Sequence, residues 1–211
     1  MNGITLESVE SYMRDLLPPR DPVVAEMEEF AKLHRVPIVG PMVGRFLHQL
    51  ARFVDASRIF EMGSAIGYST IWFARALKPG GKVYYTDGSQ DNAARAREYL
   101  QRAGVSDRVE LLVGNALDLI DKVEGEFDVV FNDVDKKDYP GVYRKAANRV
   151  RTGGLFLSDN VLWSGRVADA SVTDEYTEGV RSFNNLLYAD KRYYTTILPL
   201  RDGVSVGLRV L

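Results

Sequence analysis

FEMGSAIGYST, residues 60–70, joins an apolar run, RIFEM, to a helical pattern, YSTIWFARAL. Gly63 and Gly67 stand four residues apart between the two. Because glycine has no Cβ, it lets a chain turn sharply and lets a ligand lie against the backbone. The stretch therefore predicts a strand, a ligand-accessible turn and a helix, although a tight turn without a ligand stays an alternative. It is not the GxGxxG of dinucleotide binders, because Ser64-Ala65-Ile66 follows Gly63.

Beyond this unit, short apolar runs recur along the rest of the chain. The runs are RIFEM, KVYYTD, RVELLVG, FDVVFND and GLFLSD, separated by segments with helical periodicity. Strands that alternate with helices predict βαβ units and a parallel sheet. The last two runs, YYTTILPL and VSVGLRVL, flank Arg201-Asp202-Gly203, which is typical of a hairpin turn. We therefore predict a doubly wound, mostly parallel α/β sheet that ends in an antiparallel pair.

Three helical patterns precede the first strand. Apolar residues recur at helical spacing from Leu6 to Leu17, from Val23 to Ala31 and from Val43 to Leu50, and Asp21-Pro22 is typical of a helix start. We predict one domain over residues 1–211. Within it, residues 1–56 would form helices that cover the site and residues 57–211 a Rossmann-like core.

The composition excludes several classes of function. Of the 211 residues, 45% are hydrophobic and 27% charged, and the net charge of -2 indicates neither disorder nor a nucleic-acid partner. The absence of cysteine excludes disulfides and thiolate metal sites. The N-terminus lacks a signal-peptide pattern, and no apolar run approaches the roughly 18 residues of a membrane span. We predict a cytoplasmic protein with no membrane partner.

Two features predict a nucleotide-like ligand near the glycine turn. Asp87 ends the strand KVYYTD, where a carboxylate can accept hydrogen bonds from both ribose hydroxyls. The next strand runs into Gly114-Asn115-Ala116, small residues against which an adenine face could lie. Each motif is weak alone, but the acid and the glycine turn would share one crevice.

A second set of polar residues follows the fourth and fifth strands. Asp133 ends one strand, and Asp159 with Asn160 ends the next. Because the carboxyl ends of neighbouring parallel strands meet at one edge of a sheet, we expect these side chains to converge. Two carboxylates and an amide oxygen suit Mg²⁺ or Ca²⁺. The alternative is that both aspartates cap the helices that follow.

Lys136 comes three residues after Asp133 and is the candidate base. A divalent cation and a second cationic centre nearby would lower its pKa and leave it neutral. We interpret Lys137 and Asp138 as a solvated helix start and Asp135 as a local cap or a partner for Lys136.

These residues resemble the class I S-adenosylmethionine-dependent methyltransferases, whose first motif is acid-x-Gly-x-x-x-Gly. FEMGSAIGYST resembles more narrowly the cation-dependent O-methyltransferases of the catechol and caffeoyl-CoA type, and this resemblance extends from about residue 36 to the C-terminus. It implies a seven-stranded methyltransferase fold. By the same resemblance, the cofactor-binding residues are Val39, Glu61, Gly63, Ser69, Asp87, Ala116 and Asp133.

The sequence departs from that family's pattern at two positions. Val43 stands where an acid or Gln is frequent, just before Gly44. Asn132 stands where an aliphatic residue is common in the motif aliphatic-Asp-x-Asp-Lys, which otherwise matches. We expect Asn132 to alter only strand packing.

The resemblance predicts an S-adenosylmethionine- and divalent-metal-dependent O-methyltransferase that acts on a small phenolic vicinal diol, and it suggests a homodimer. Trp163 could form an apolar wall for the substrate ring, or be an ordinary buried tryptophan. A non-catalytic S-adenosylmethionine-binding protein on the same fold stays an alternative. An NAD-linked oxidoreductase is less favoured because GxGxxG is missing. An N-methyltransferase is disfavoured because no Asn/Asp-Pro-Pro-aromatic motif follows the fourth strand.

Overall fold

A computed structural model describes residues 4–211. Its strands are β1 (Arg58–Met62), β2 (Lys82–Asp87), β3 (Val109–Val113), β4 (Phe127–Asn132), β5 (Val150–Ser158), β6 (Tyr193–Leu198) and β7 (Val204–Arg209). Its α-helices are α1 (Glu7–Asp15), α2 (Pro22–His34), α3 (Gly40–Phe53), α4 (Tyr68–Ala76), α5 (Gln90–Arg102), α6 (Ala116–Leu119), α7 (Tyr139–Ala146) and α8 (Glu175–Ala189). The three helices before β1 and the alternation of strands and helices after it confirm the predicted order.

The strands form one sheet in the order β3-β2-β1-β4-β5-β7-β6. The pairs β1–β2, β2–β3 and β4–β5 are parallel, whereas β7 is antiparallel to both β5 and β6. This topology confirms the doubly wound, mostly parallel sheet with an antiparallel C-terminal pair. Among residues 4–211, no helix is long and apolar enough to cross a membrane.

The chain divides into two compact units, each described by itself below. The first unit is Pro18–Glu124, and the second combines Gly125–Leu211 with the described residues up to Leu17. The single domain over residues 1–211, divided at residue 56, stays a prediction, and its first three residues lie outside the described ones.

In the first unit, α2 begins where the sequence indicates. The Asp21 side chain accepts hydrogen bonds from the backbone N–H groups of Val23 and Val24, both at 3.0 Å. Pro22, the first helical residue, has no N–H to leave unsatisfied. Further along, α3 packs closely on α4, because a Cβ at Gly44 would lie 2.4 Å from the indole nitrogen of Trp72. Val43, the first departure from the family pattern, is fully buried in α3.

In the second unit, aromatic rings pack α7 and α8 against β5. The ring centroid of Phe183 lies 5.3 Å from that of Tyr139 and 6.0 Å from that of Phe156. By contrast, none of the described residues of α1 is buried. Leu6, Tyr12 and Leu16 are each more than half exposed.

One strand boundary differs from the sequence prediction. β5 begins at Val150, four residues before the apolar run that starts at Gly154. Arg151, Thr152, Gly153 and Gly154 form no apolar run, and glycine has low β-propensity, so the apolar pattern does not indicate this end. At Gly154 a Cβ would lie 2.7 Å from the carbonyl oxygen of Asp128 on β4, so close approach of the two strands requires glycine there.

Candidate active site

The turn between β1 and α4 has the predicted glycine geometry. Gly63 and Gly67 both have φ of 84°, in the left-handed region that favours glycine. A Cβ at Gly67 would also lie 3.2 Å from the Cβ of Ala96. The backbone N–H of Ser64 donates to the carbonyl of Thr86 at 2.9 Å, which ties the turn to the end of β2.

The glycine turn and Asp87 are brought together, as the sequence predicts. Asp87 Oδ2 accepts a hydrogen bond from the backbone N–H of Ala65 at 3.0 Å, and Oδ1 accepts from Ser89 N at 2.8 Å and Asn92 Nδ2 at 3.0 Å. A carboxylate oxygen has two lone pairs, so Oδ2 keeps capacity for a further donor such as a ribose hydroxyl. Asp87 therefore presents a hydrogen-bond acceptor that fits the ribose of a nucleoside ligand.

Glu61, the acid that precedes the turn, is fully buried. Its Oε2 accepts a hydrogen bond from the hydroxyl of Thr70 at 2.5 Å, and its backbone carbonyl accepts from Thr86 Oγ1 at 2.7 Å. A buried carboxylate is stable only when hydrogen-bonded or paired with a cation, so this position suits the ammonium group of an amino-acid ligand. The sequence did not indicate Thr70, whose role depends on the burial of Glu61.

The other predicted cofactor residues of this unit stand at the starts of helices. Val39 precedes α3, Ser69 is the second residue of α4 and Ala116 is the first of α6, and all three are buried. Before Ala116, the side chain of Asn115 caps α6 by accepting from Leu117 N at 2.9 Å. Their contact with a cofactor stays a prediction.

In the second unit, Asp133 and Asp159 follow directly after the neighbouring strands β4 and β5. Asn132 and Ser158, the last residues of these strands, are paired in the sheet, and Asp159 N donates to the carbonyl of Asn132 at 3.1 Å. In the described chain neither aspartate occupies a helix N-cap; α7, for example, has Asp138 there. The alternative that they cap helices is therefore wrong.

The two carboxylates repel each other. Burial raises the pKa of Asp159, and the negative charge of Asp133 raises it further, while Arg201, the N–H of Asn160 and Lys136 lower it. Asn160 N donates to Asp159 Oδ1 at 2.9 Å. Two neighbouring carboxylates beside an amide side chain form a set of oxygen ligands that fits a hard divalent cation.

No group of three or more His, Asp or Glu side chains in residues 4–211 is placed to hold a metal ion. The predicted set has a different composition, because it combines two carboxylates with the amide of Asn160. Its role as a cation site stays a prediction.

Lys136 lies where the sequence places it and forms an ion pair with Asp133. Its Nζ donates to Asp133 Oδ1 at 2.8 Å and to the carbonyl of Val134 at 3.2 Å. Burial lowers the pKa of Lys136, but the negative charge of Asp133 and the neighbouring Tyr139 raise it by more, so the net shift is upward. The expected lowering depends on a bound divalent cation and a second cationic centre, so it stays a prediction for the protein with its ligands.

The remaining charges of this segment form an exposed helix start. Asp135, Lys137 and Asp138 are exposed, and Asp138 N donates to the backbone carbonyl of Asp135 at 2.9 Å. The side chain of Asp135 makes no capping hydrogen bond in the described chain, and Lys136 pairs with Asp133 instead.

Trp163 is half-buried rather than a core residue. Its ring stacks on that of Tyr176, with centroids 6.5 Å apart and planes inclined by 13°. Lys136 Nζ lies 6.0 Å from the Trp163 ring. The indole Nε1 is buried without a hydrogen-bond partner in the described chain. Trp163 is therefore not an ordinary core tryptophan, and its role as a wall for a substrate ring stays a prediction.

Three contacts of this unit were not predicted from the sequence. The Tyr139 hydroxyl donates to the carbonyl of Asp159 at 2.8 Å. The carboxylate of Asp202, in the hairpin turn, accepts from the backbone of Ser164. Asn132, buried at the end of β4, donates from Nδ2 to Ser158 Oγ at 3.3 Å, in keeping with a role in strand packing.

Comparison with known proteins agrees with this fold and these motifs. The model of the O-methyltransferase family matches residues 20–210. A catechol O-methyltransferase of Niastella koreensis is 36% identical, over 99% of each chain. Caffeoyl-CoA O-methyltransferase 1 of Eucalyptus globulus is 32% identical, over 91% of this chain and 84% of its own. The crystal structure of the O-methyltransferase TomG from Streptomyces achromogenes in complex with SAM is 32% identical, with a TM-score of 0.89 over 98% of this chain and 100% of that one.

The sheet and its glycine turn define the class, a Rossmann-like methyltransferase. The chain belongs to the O-methyltransferase family. The predicted resemblance, and the prediction of an S-adenosylmethionine-dependent O-methyltransferase, are confirmed at that level.

Proposed function

We propose that the chain transfers a methyl group from S-adenosylmethionine to one oxygen of a small aromatic vicinal diol, with a divalent cation held by Asp133, Asp159 and Asn160. The observation that carries this proposal is the pair of mutually repelling carboxylates next to Lys136. An NAD-linked oxidoreductase has no use for such a set, and the family does not support that alternative.

The residues of the second unit have distinct roles in the proposed reaction. Lys136 accepts a proton from the substrate hydroxyl, and the resulting oxyanion attacks the methyl carbon, breaking the carbon–sulfur bond and leaving S-adenosylhomocysteine. A divalent cation, when bound, supplies positive charge that lowers the pKa of a phenol from about 10. Asp133 must first release Lys136, because a lysine paired with a carboxylate stays protonated.

The proposed substrate class follows from the aromatic and polar groups around Lys136. Trp163, backed by Tyr176, offers a flat apolar face for an aromatic ring. A ring with two adjacent hydroxyls matches this face and presents two oxygens to the predicted cation set. The similar proteins named catechol and caffeoyl-CoA O-methyltransferases support the same class. Residues 1–40 and 164–176 are the segments in which we expect the particular diol to be selected.

Two matched substitutions separate the proposed cofactor and cation sets. Asp159→Ala should abolish Mg²⁺-dependent turnover of catechol while leaving S-adenosylmethionine affinity, measured by calorimetry, within a few-fold of wild type. Asp87→Ala should instead weaken cofactor binding at least about tenfold, since it removes acceptors for the ribose. Loss of both functions in both variants would show that the sites are misassigned. Wild-type binding of S-adenosylmethionine without methyl transfer to any diol would favour the alternative of a non-catalytic binding protein.

The proposal also concerns the cellular location, the oligomeric state and the partners of the enzyme. We infer a cytoplasmic homodimer that acts on small molecules, with no nucleic acid or membrane as partner. The near-neutral charge balance and the exposed apolar side chains of α1 support it.

A further inference from the structure

Asp202, in the turn between β6 and β7, is a buried carboxylate in a segment that would ordinarily be exposed. Only 6% of its surface is accessible. Burying a carboxylate costs free energy unless hydrogen bonds compensate. One oxygen, Oδ1, accepts from the backbone N–H of Ser164. The other, Oδ2, is buried and has no hydrogen-bond partner among residues 4–211.

The same turn holds the segment that follows Asn160. Val161 N donates to the carbonyl of Gly203 at 3.1 Å, and Leu162 N donates to the backbone carbonyl of Asp202 at 3.0 Å. Gly203 has φ of 86°, and a Cβ there would lie 2.5 Å from Leu162 Cγ. Side-chain and backbone contacts therefore fix this segment on the turn, and only glycine allows the approach.

Asn160 has two carboxylate neighbours, one beside its backbone N–H and one beside its side-chain amide. Its backbone N–H donates to Asp159 Oδ1 at 2.9 Å. Its side-chain amide is close enough to Asp202 to lower the pKa of that carboxyl, against the opposing effect of burial. Its φ of 56° is unusual for a residue other than glycine, and such strain persists only where surrounding contacts hold it.

An amide has two different ends, and only one can bind a cation. The oxygen accepts or coordinates, whereas the NH₂ group donates; a carboxylate can only accept. We propose that Asp202 is a positioning residue for the cation site: its buried, unpaired Oδ2 is the acceptor that the NH₂ group of Asn160 takes when the amide oxygen is directed toward the side of Asp133 and Asp159. This inference rests on the cation site of the proposed function.

The substitution Asp202→Asn tests this role because it replaces a single carboxylate oxygen by an NH₂ group. Ser164 N–H requires an oxygen, so the new NH₂ group takes the place of Oδ2. Two NH₂ groups would then face each other unless the Asn160 amide turns round, which directs its own NH₂ toward the cation. We expect Mg²⁺ affinity, measured by calorimetry on the full chain, to fall about 10- to 100-fold, as is typical when a residue that orients a metal ligand is changed.

Three controls separate positioning from general destabilisation. S-adenosylmethionine affinity should stay within a few-fold of wild type in Asp202→Asn. In the Asn160→Ala background, Asp202→Asn should cause no further loss of Mg²⁺ affinity, because the amide through which it acts is gone. Asp190→Asn, which alters a hydrogen-bonded aspartate after α8, should reduce stability yet leave Mg²⁺ affinity unchanged.

Asn160→Asp is the second variant, usable even if Asp202→Asn does not fold. It adds a carboxylate to the cation set but removes the NH₂ group that faces Asp202. We expect weaker Mg²⁺ binding, whereas equal or tighter binding would contradict the positioning role. Wild-type Mg²⁺ affinity in Asp202→Asn, or equal losses in Asp202→Asn and Asp190→Asn, would overturn the inference alone. Absence of Mg²⁺ binding by the wild type would overturn it together with the proposed cation site.

Discussion

At the residue scale, the protonation of Lys136 depends mainly on Asp133. The ion pair at 2.8 Å keeps the pKa of Lys136 above its ordinary value despite burial. A residue that must accept a proton cannot remain in such a pair. The base role therefore requires a different partner for Asp133 during the reaction.

Lys136→Met tests this role directly. We expect turnover of catechol to fall by about 10²- to 10⁴-fold, the usual contribution of a general base, with S-adenosylmethionine affinity unchanged. Lys137→Met is the matched control, since Lys137 is exposed, and it should retain turnover. If Lys136→Met kept wild-type rates from pH 6 to 9, Lys136 would not be the base.

Site residues differ in how far the sequence predicts them. The sequence predicted that Asp87 and the glycine turn lie together. The apolar runs locate two strands, and both features stand at the carboxyl ends of those strands. Asp202 could not be linked to Ser164 or Asn160, since that contact depends on how a hairpin turn packs against a distant loop. The upward shift in the pKa of Lys136 in the protein alone could not be predicted for a related reason: the direction of a pKa shift depends on which charged neighbour is nearest, and spacing alone does not give it.

At the element scale, α8 packs directly on the segment that carries Lys136. A Cβ at Gly179 would lie 2.4 Å from the carbonyl oxygen of Lys136 and 2.8 Å from the Cα of Lys137. Both are backbone atoms, so they cannot give way unless the segment moves. The position of the proposed base is therefore coupled to one glycine in a different element.

Gly179→Ala should lower both stability and turnover. Replacing a glycine within a helix by alanine ordinarily stabilises by about 0.5–1 kcal/mol, whereas overpacking costs about 1–3 kcal/mol. We expect the clash to prevail in urea unfolding and Lys136 to be displaced. Gly88→Ala is the stability control, because a Cβ there meets nothing within 4 Å. A Gly179→Ala variant that is more stable and fully active would contradict the coupling.

The end of α8 is joined to the start of β6 through Asp190. Its hydrogen bonds with Arg192, then with Tyr143, hold the pKa of this carboxyl well below its usual range. An acid with a depressed folded-state pKa adds stability above its unfolded pKa of about 4, and this stability is lost as the pH falls through the folded value.

Asp190→Asn should therefore reduce the free energy of unfolding at pH 7 by about 1–2 kcal/mol, the range for hydrogen bonds to a partly exposed charged group. The difference from wild type should shrink as the pH is lowered from 4 to 3. Urea unfolding at pH 7, 4 and 3 measures it. A difference that grew toward low pH would contradict the assignment.

At the scale of the whole molecule, the order of elements could be predicted well, but their ends and surfaces could not. Apolar periodicity located all seven strands, because burial imposes it on both kinds of element. It missed the first residues of β5, where polar residues and glycine carry no periodic signal. It also gave no reason for the exposure of Tyr12 in α1 and of the capping residues Leu6 and Leu16, since a helical pattern predicts an apolar face but not what covers it.

In the proposed homodimer, the partner subunit would cover the exposed apolar side chains at α1. We expect light scattering to give about twice the chain mass of 23.6 kDa and Leu16→Glu to shift it toward the monomer. Leu33→Glu on α2, which changes an even more exposed leucine, should leave the dimer intact. A wild-type monomer would contradict the proposal, and dissociation by both substitutions would show that the effect is not specific to α1.

The most direct test of the central claim is methyl transfer to catechol, followed as S-adenosylhomocysteine formed after chelation of divalent cations and again after Mg²⁺ is restored. We expect turnover that is lost on chelation, returns with Mg²⁺ in the wild type and does not return in Asp159→Ala. A chelated enzyme that methylates catechol at the full rate would contradict it.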